Sequence, residues 1–165
     1  MFLLSLLTLV HVVISLAGIA TGFVVVGGLL AAKRLDGWTA TFLATTALTS
    51  VTGFFFPIHG FTPGLALGVL SLVALAVAAV ARYRRELAGP WRTVYVISAV
   101  VSLYFNCFVL VAQLFQKVPA LKELAPTQSD TPFVVAQATL LAVFVATAIA
   151  CVSRFRGAEI GTGLA

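Results

Sequence analysis

Residues 15–34 read SLAGIATGFVVVGGLLAAKR, an apolar run that ends abruptly on two adjacent cations. With the residues before it, the uncharged stretch covers 2–32, more than the ~20 residues that carry a helix across a ~30 Å hydrocarbon layer. A secretory leader would begin with a basic segment and carry an apolar stretch of roughly half this length. Met1–Val10 has no basic residue, so the run is expected to be retained as a membrane span.

The rest of the chain repeats the pattern. Further apolar runs cover about 38–57, 62–82, 91–116 and 132–153. Apart from Arg82 and Arg92 at the ends of two of them, none contains Asp, Glu, Lys or Arg. Over all 165 residues the hydrophobic fraction is 61% and the charged fraction 9%, with a mean hydropathy of +1.13, outside the range of soluble globular domains. The runs are continuous instead of alternating, which excludes barrel strands and leaves helices as the way to satisfy the backbone in lipid. The expectation is an all-α transmembrane five-helix bundle, residues 1–157 as one unit and 158–165 as a short tail.

The basic residues set the expected orientation. Lys33, Arg34, Arg82, Arg84, Arg85, Arg92, Arg154 and Arg156 fall on one side of the five runs, Lys117 and Lys122 on the other. Short loops rich in Lys and Arg stay in the cytoplasm, so the N-terminus is expected outside and the C-terminus in the cytoplasm, in a cell membrane and, for a bacterium, the inner membrane. Trp38, Tyr83 and Trp91 mark the cytoplasmic interface. The net charge of +5 then reflects topology and attraction to the lipid bilayer, not a nucleic-acid footprint.

In lipid the packed face of a helix is the one that lets backbones approach or side chains hydrogen-bond across. The stripes that fit are Thr8, His11, Ser15, Gly18 and Gly22 in the first span, then Thr41, Thr45, Thr49 and Gly53 in the second. Gly60, Gly64 and Gly68 form the third, Tyr95, Ser98, Ser102 and Asn106 the fourth, and Ala138, Ala142, Ala146 and Ala150 the fifth. Cys107 and Cys151 differ by about 15 Å in depth at ~1.5 Å per residue, beyond disulfide reach, so both are expected as packed free thiols. In KVPALKELAPTQSDT (117–131), Val118, Leu121 and Leu124 fit one short helix lying on the membrane and stopped by Pro126. Thr131 and Pro132 suit the start of the last helix, as Thr62 and Pro63 suit the third.

Counted from the cytoplasmic cations, His11, His59, Gln113 and Gln137 fall at one outer level, walled by Phe54, Phe55, Phe56, Phe61, Phe115 and Phe133. A polar layer in apolar walls suits an apolar ligand or a membrane partner, with Asn106, on the face of Gln113, as a further candidate contact. The bland alternative is that these groups only hydrogen-bond between helices. His11 and His59 also allow a redox reading, with two imidazoles on a b-type haem or a quinone. A metal site lacks carboxylate or thiolate ligands at that level. Ser15 lies one turn from His11 but no acid orients a base, so it reads as packing. The spans hold no carboxylate or lysine of the kind that pumps and transporters carry at mid-membrane, and a channel would need a homo-oligomer.

The segment YFNCFVLVAQLFQKVPALKELAPTQSDTPFVVAQ (104–137) resembles the corresponding region of small uncharacterised bacterial multi-pass membrane proteins, in which YFN, VAQLF, KVP and LAPTQS recur in series. The resemblance implies no activity. It implies that Asn106, Gln113, Thr127, Gln128 and Gln137 belong to a recurring pattern around the outer loop.

Overall fold

The computed structural model describes residues 2–56 and 63–157, and every regular element among them is helical. The helices are α1 (Phe2–Leu30), α2 (Asp36–Gly53), α3 (Pro63–Ala79, continued by one π-helical turn, Val80–Arg84), α4 (Trp91–Lys117), α5 (Pro119–Leu124) and α6 (Thr131–Gly157). The turn around His59, with Gly60, Phe61 and Thr62, and the tail 158–165 lie outside the described residues.

Four helices are long and apolar enough to cross a membrane: Leu3–Leu30, Gly64–Arg84, Trp91–Lys117 and Thr131–Phe155. The fifth expected run, α2, is a helix but does not reach that standard. It has 18 residues, about 27 Å at 1.5 Å per residue, and it is crowded with threonine. Its hydroxyls turn back onto their own helix: Thr41 donates to Gly37 O at 3.0 Å, Thr45 to Thr41 O at 2.7 Å, Ser50 to Thr46 O at 3.1 Å and Thr52 to Leu48 O at 2.7 Å. Such i−4 bonds hide the polar atom without a partner helix.

Around the bundle, α1 packs on α2, α2 on α3, α3 on α4, α4 on α6, and α6 returns to α1, while α4 also touches α1, α2 and α5. α4 is therefore the common support, and Tyr95, Val96, Ala99, Val100, Leu103 and Cys107 on it are buried. The α1 stripe faces inward as expected, with Gly18 and Gly22 buried. A Cβ on Gly22 would sit 2.6 Å from Leu103 Cδ1 and 2.9 Å from the Phe42 ring. Only a residue without a side chain lets α1, α2 and α4 meet there.

Two expected faces are corrected, those of α2 and α6. In α2 the buried residues are Thr39, Phe42, Thr46 and Ser50, so the packed face is rotated from the Thr41 stripe and Thr41 itself is exposed. In α3 the expected face is the packed one: Gly68 lies against the Phe54 ring and Ser71, Leu75 and Ala78 continue the same face at three- and four-residue spacing, with Gly64 exposed at the start of the helix. In α6 the alanines Ala138, Ala142 and Ala146 point outward, and Phe133, Gln137, Phe144, Cys151 and Phe155 point inward. The reason is volume: Phe144 fills a wide seam against Tyr104 and Phe23, with ring centroids 5.6 and 6.5 Å away. Small residues permit close approach but do not require it.

The loops follow their chemistry. α5 is the short helix expected, ending before Pro126. The start of α6 lies one residue earlier than expected, since Asp130 O accepts from Val134 N at 3.1 Å, which makes Asp130 the cap and Thr131 the first helical residue.

Gly22→Leu is expected to lower the thermal midpoint in detergent, with a loss of about 1–3 kcal/mol from overpacking. Gly27, which has open space around its would-be Cβ, and exposed Gly64 should accept leucine with little change. Equal midpoints for all three variants would refute the α1–α2–α4 junction.

Candidate functional site

The two ends of the bundle differ, and each brings polar chemistry together. At the end that carries α5, His11 on α1 meets α2. Its Nδ1 lies 2.8 Å from Thr52 Oγ1, and its ring stands edge-on to Phe56 at 5.2 Å. The Thr52 hydroxyl has one proton, which the 2.7 Å bond to Leu48 O uses. Thr52 Oγ1 therefore accepts from His11 Nδ1–H, and Nε2 is the acceptor nitrogen of the ring. Ser15 donates to His11 O at 2.6 Å, a packing role as expected. The Lys117 ammonium, at the end of α4, is within electrostatic reach of this ring.

Two of the other expected site residues bond to groups other than His11. Asn106 Nδ2 donates to Thr46 Oγ1 at 3.2 Å, beside Gly18, and Gly18 lies seven residues along α1 from His11, about 10 Å deeper. Gln137 is 8% exposed and donates through Nε2 to Phe108 O at 3.1 Å, while its Oε1 has no partner among the described residues. Gln113 is exposed on α4. His59 lies outside the described residues. The structure thus brings His11 to α2, Asn106 to α1 and α2, and Gln137 to α4, at three separate seams.

A cleft at this same end is walled by two of the expected phenylalanines, Phe115 and Phe133, without the expected polar residues His11, Gln113 and Gln137 in its lining. About 210 Å³ lies between the end of α4, α5 and the start of α6, lined by Phe115, Gln116, Lys122, Ala125, Pro126, Thr127, Gln128 and Phe133. Phe115 and Phe133 form its apolar wall, ring to ring at 5.5 Å and nearly perpendicular. Its rim is braced: Asp130 Oδ2 accepts from Thr127 N at 2.7 Å and from Thr127 Oγ1 at 2.9 Å. Asp130 is the cap of α6, so this turn ties the rim to a long helix. Gln116 and Lys122 were not singled out in the sequence as binding residues. Lys122 lies on the polar side of a helix whose apolar spacing was legible, and that was the available signal.

At the opposite end stands Arg82, which nothing in its sequence surroundings set apart from the other cations. Its side chain is 2% exposed and ion-paired with Asp36, whose side chain is 74% exposed. The guanidinium lies 5.2 Å from the Tyr95 ring centroid, a cation–π contact strengthened by burial, and Tyr95 Oη is 3.3 Å from Thr39 Oγ1. The π turn delivers it. Arg85 N bonds to Val80 O at 3.0 Å and Leu87 N to Ala81 O at 3.1 Å, and Glu86 and Leu87 take φ of 51° and 62° to close the turn. Leu87 is nevertheless buried, so its left-handed backbone is held in place by packing. Arg85 and Arg92 lie over Trp91 and Phe155 at 4.9 and 5.7 Å. The crevice beside Arg82, bordered by Lys33, Arg34, Leu35 and Phe155, has no room for a water molecule. This end is closed by its own side chains, and the α5 end is open.

Cys107 and Cys151 are buried free thiols, with Cys151 Sγ 4.0 Å from Val26 O. No protein-family model, curated protein or solved structure matches the chain.

Removing Asp36 leaves a buried guanidinium without its carboxylate, whereas Arg82→Met removes the charge and keeps the bulk. Asp36→Ala is expected to destabilise by on the order of 2 kcal/mol, more than Arg82→Met, with the double variant close to Arg82→Met alone. Additive losses in this cycle, read from unfolding in detergent, would show that the pair is not coupled.

Proposed function

We propose that the chain is a five-span membrane protein that holds one end of an amphipathic ligand, without catalysis, in the cleft between α4, α5 and α6. The cleft itself is the observation that carries this reading: a space of about 210 Å³ with two aromatic walls and a polar rim. Binding pockets for small molecules combine an apolar wall with a few polar groups in this way. All of its lining residues fall inside the 104–137 segment that resembles small bacterial membrane proteins.

α2 is the second of the five spans. Its back-bonded hydroxyls, its place in the ring between α1 and α3 and the exposed Trp38, Leu48 and Val51 on its outer face suit a helix that meets lipid on one side. The arginine-rich end faces the cytoplasm under the rule for basic loops, with the N-terminus and the cleft outside and the C-terminus inside. On that reading the cleft opens at the outer boundary of a bacterial inner membrane, where a lipid-like molecule arrives from the bilayer with its head toward water. A membrane-protein partner or a second copy of the chain is the competing occupant.

A redox role keeps one supporting feature, the acceptor Nε2 of His11, held by the Nδ1–H bond to Thr52, the arrangement that orients ligating histidines. A haem or quinone between His11 and His59 would give the purified protein a visible spectrum that changes with dithionite, or a copurifying quinone, and His11→Ala would remove it.

Ligand binding is read by native mass spectrometry in a neutral detergent, with dodecanol as a probe without head-group charge. Wild type is expected to carry dodecanol adducts that Phe115→Ala and Phe133→Ala lose by about tenfold or more, as each removes a buried aromatic wall. Indistinguishable adduct levels in all three would refute the site. For orientation, buried Cys107 and Cys151 should be silent to a membrane-impermeant maleimide. Lys122→Cys is expected to label in intact cells and Arg85→Cys only after permeabilisation, and the reverse pattern would overturn the topology.

A further inference from the structure

We propose that the cleft selects a single-chain amphiphile with a monoanionic head, a carboxylate of the fatty-acid class; this rests on the ligand reading above and adds the identity of the head group. Three observations carry it.

The first is charge. Lys122 is the single charged residue among those that line the cleft. Neither nearby acid lines the space: Asp130 braces the rim through Thr127, and Glu123 is next to Lys122 on α5. Lys117 ends α4 one residue beyond Gln116 but does not line it either. A lone ammonium favours an anion and repels a cation. One positive charge matches one negative charge, so a carboxylate is compensated where a phosphate monoester would keep a surplus.

The second is size. Pockets that enclose a drug-sized ligand run from roughly 300 to 1,000 Å³, and 210 Å³ falls short. The space takes a head group and the first few methylenes and leaves the rest of the chain outside. That suits a molecule whose tail remains in lipid, and it excludes a two-chain lipid with a bulky head.

The third is the arrangement of polarity. Phe115 and Phe133 stand against one another on the long helices α4 and α6, while Lys122, Thr127 and Gln128 come from α5 and the turn after it. The aromatic surface is thus contributed by the spans, and the charge and most of the polar groups by the segment beyond them, with Gln116 of α4 as the one polar exception on a span. A ligand oriented with its chain toward the bilayer and its carboxylate toward α5 meets each with its like. The Lys122 ammonium would pair with the carboxylate, with the Gln128 amide as a further donor on the rim, while the Thr127 hydroxyl keeps its proton on Asp130.

The test is a titration by native mass spectrometry at pH 8, where a carboxylic acid is ionised, with dodecanoate, dodecanol, dodecyl phosphate and dodecyltrimethylammonium as probes. Wild type is expected to bind dodecanoate roughly fivefold more tightly than dodecanol, the scale of a partly exposed ion pair, and the ammonium probe most weakly. Lys122→Gln should erase the difference between acid and alcohol without moving the thermal midpoint, and Lys122→Arg should keep the difference. Equal affinities in wild type, or a preference that survives Lys122→Gln, would overturn the head-group assignment and leave the cleft as a site. Tighter binding of dodecyl phosphate than of dodecanoate would overturn the choice of a monoanion. Failure of every probe to bind wild type would remove the site itself.

Discussion

The constraint on which this structure depends is the need to satisfy a hydroxyl-rich helix inside an apolar bundle. α2 carries threonine or serine at nearly every turn, and an unpaired hydroxyl removed from water costs several kcal/mol in an apolar medium that offers no partner. Two devices solve the problem together. Hydroxyls such as those of Thr45 and Thr52 bond back to their own helix, and Gly18 and Gly22 let α1 lie against the face that holds Phe42 and Thr46. Asn106 then reaches Thr46 from α4. Without that close seam, the face of α2 that holds Phe42 and Thr46 would lose its contacts with α1 and α4.

From that ring follow two ends of opposite character. At the arginine-rich end every cation described in detail has been given something to lie on: Arg82 on Asp36 and Tyr95, Arg85 on Trp91, Arg92 on Phe155. The Asp36 pairing joins the start of α2 to the end of α3, and the Tyr95 contact adds α4. A π-helical turn, a feature often found where a side chain must be re-aimed, places the guanidinium there. At the other end α5 stands off from the helices around it, and the space that results stays open because Phe115 and Phe133 pack on each other instead of into it. The difference is one of filling: aromatic rings and an ion pair close one end, and a six-residue helix spans the other without covering it.

Which faces could be read in advance depended on the size of the residues that mark them. The α1 and α4 stripes were legible because glycine and serine there coincide with real close approach, at Gly22 against Leu103 and at Ser102 in the core. The α6 stripe misled because alanine is as comfortable against lipid as against a helix, while the bulky Phe144 and Phe155 carry the contacts. The level of His11 was legible by counting from Lys33 and Arg34, and its partner Thr52 was not, since a one-position rotation of α2 changes which hydroxyl it meets. Arg82 was read as one charge among many because nothing in a run of Arg, Tyr and Arg announces a π turn.

Taken alone, the sequence determined the solvent and the elements. Long uncharged runs admit only helices in lipid, the cations mark one end, and proline and spacing place α5 and its stop. Only the tertiary structure decided which side of α2 and α6 is buried, that Arg82 is enclosed, and that Gln116 and Lys122 join the expected Phe115 and Phe133 around one cleft. The physical reason is that hydropathy and depth are properties of single segments, summed along the chain, whereas rotation about a helix axis is settled by fit between neighbours. That fit turns on the volume of side chains from three or four segments at once.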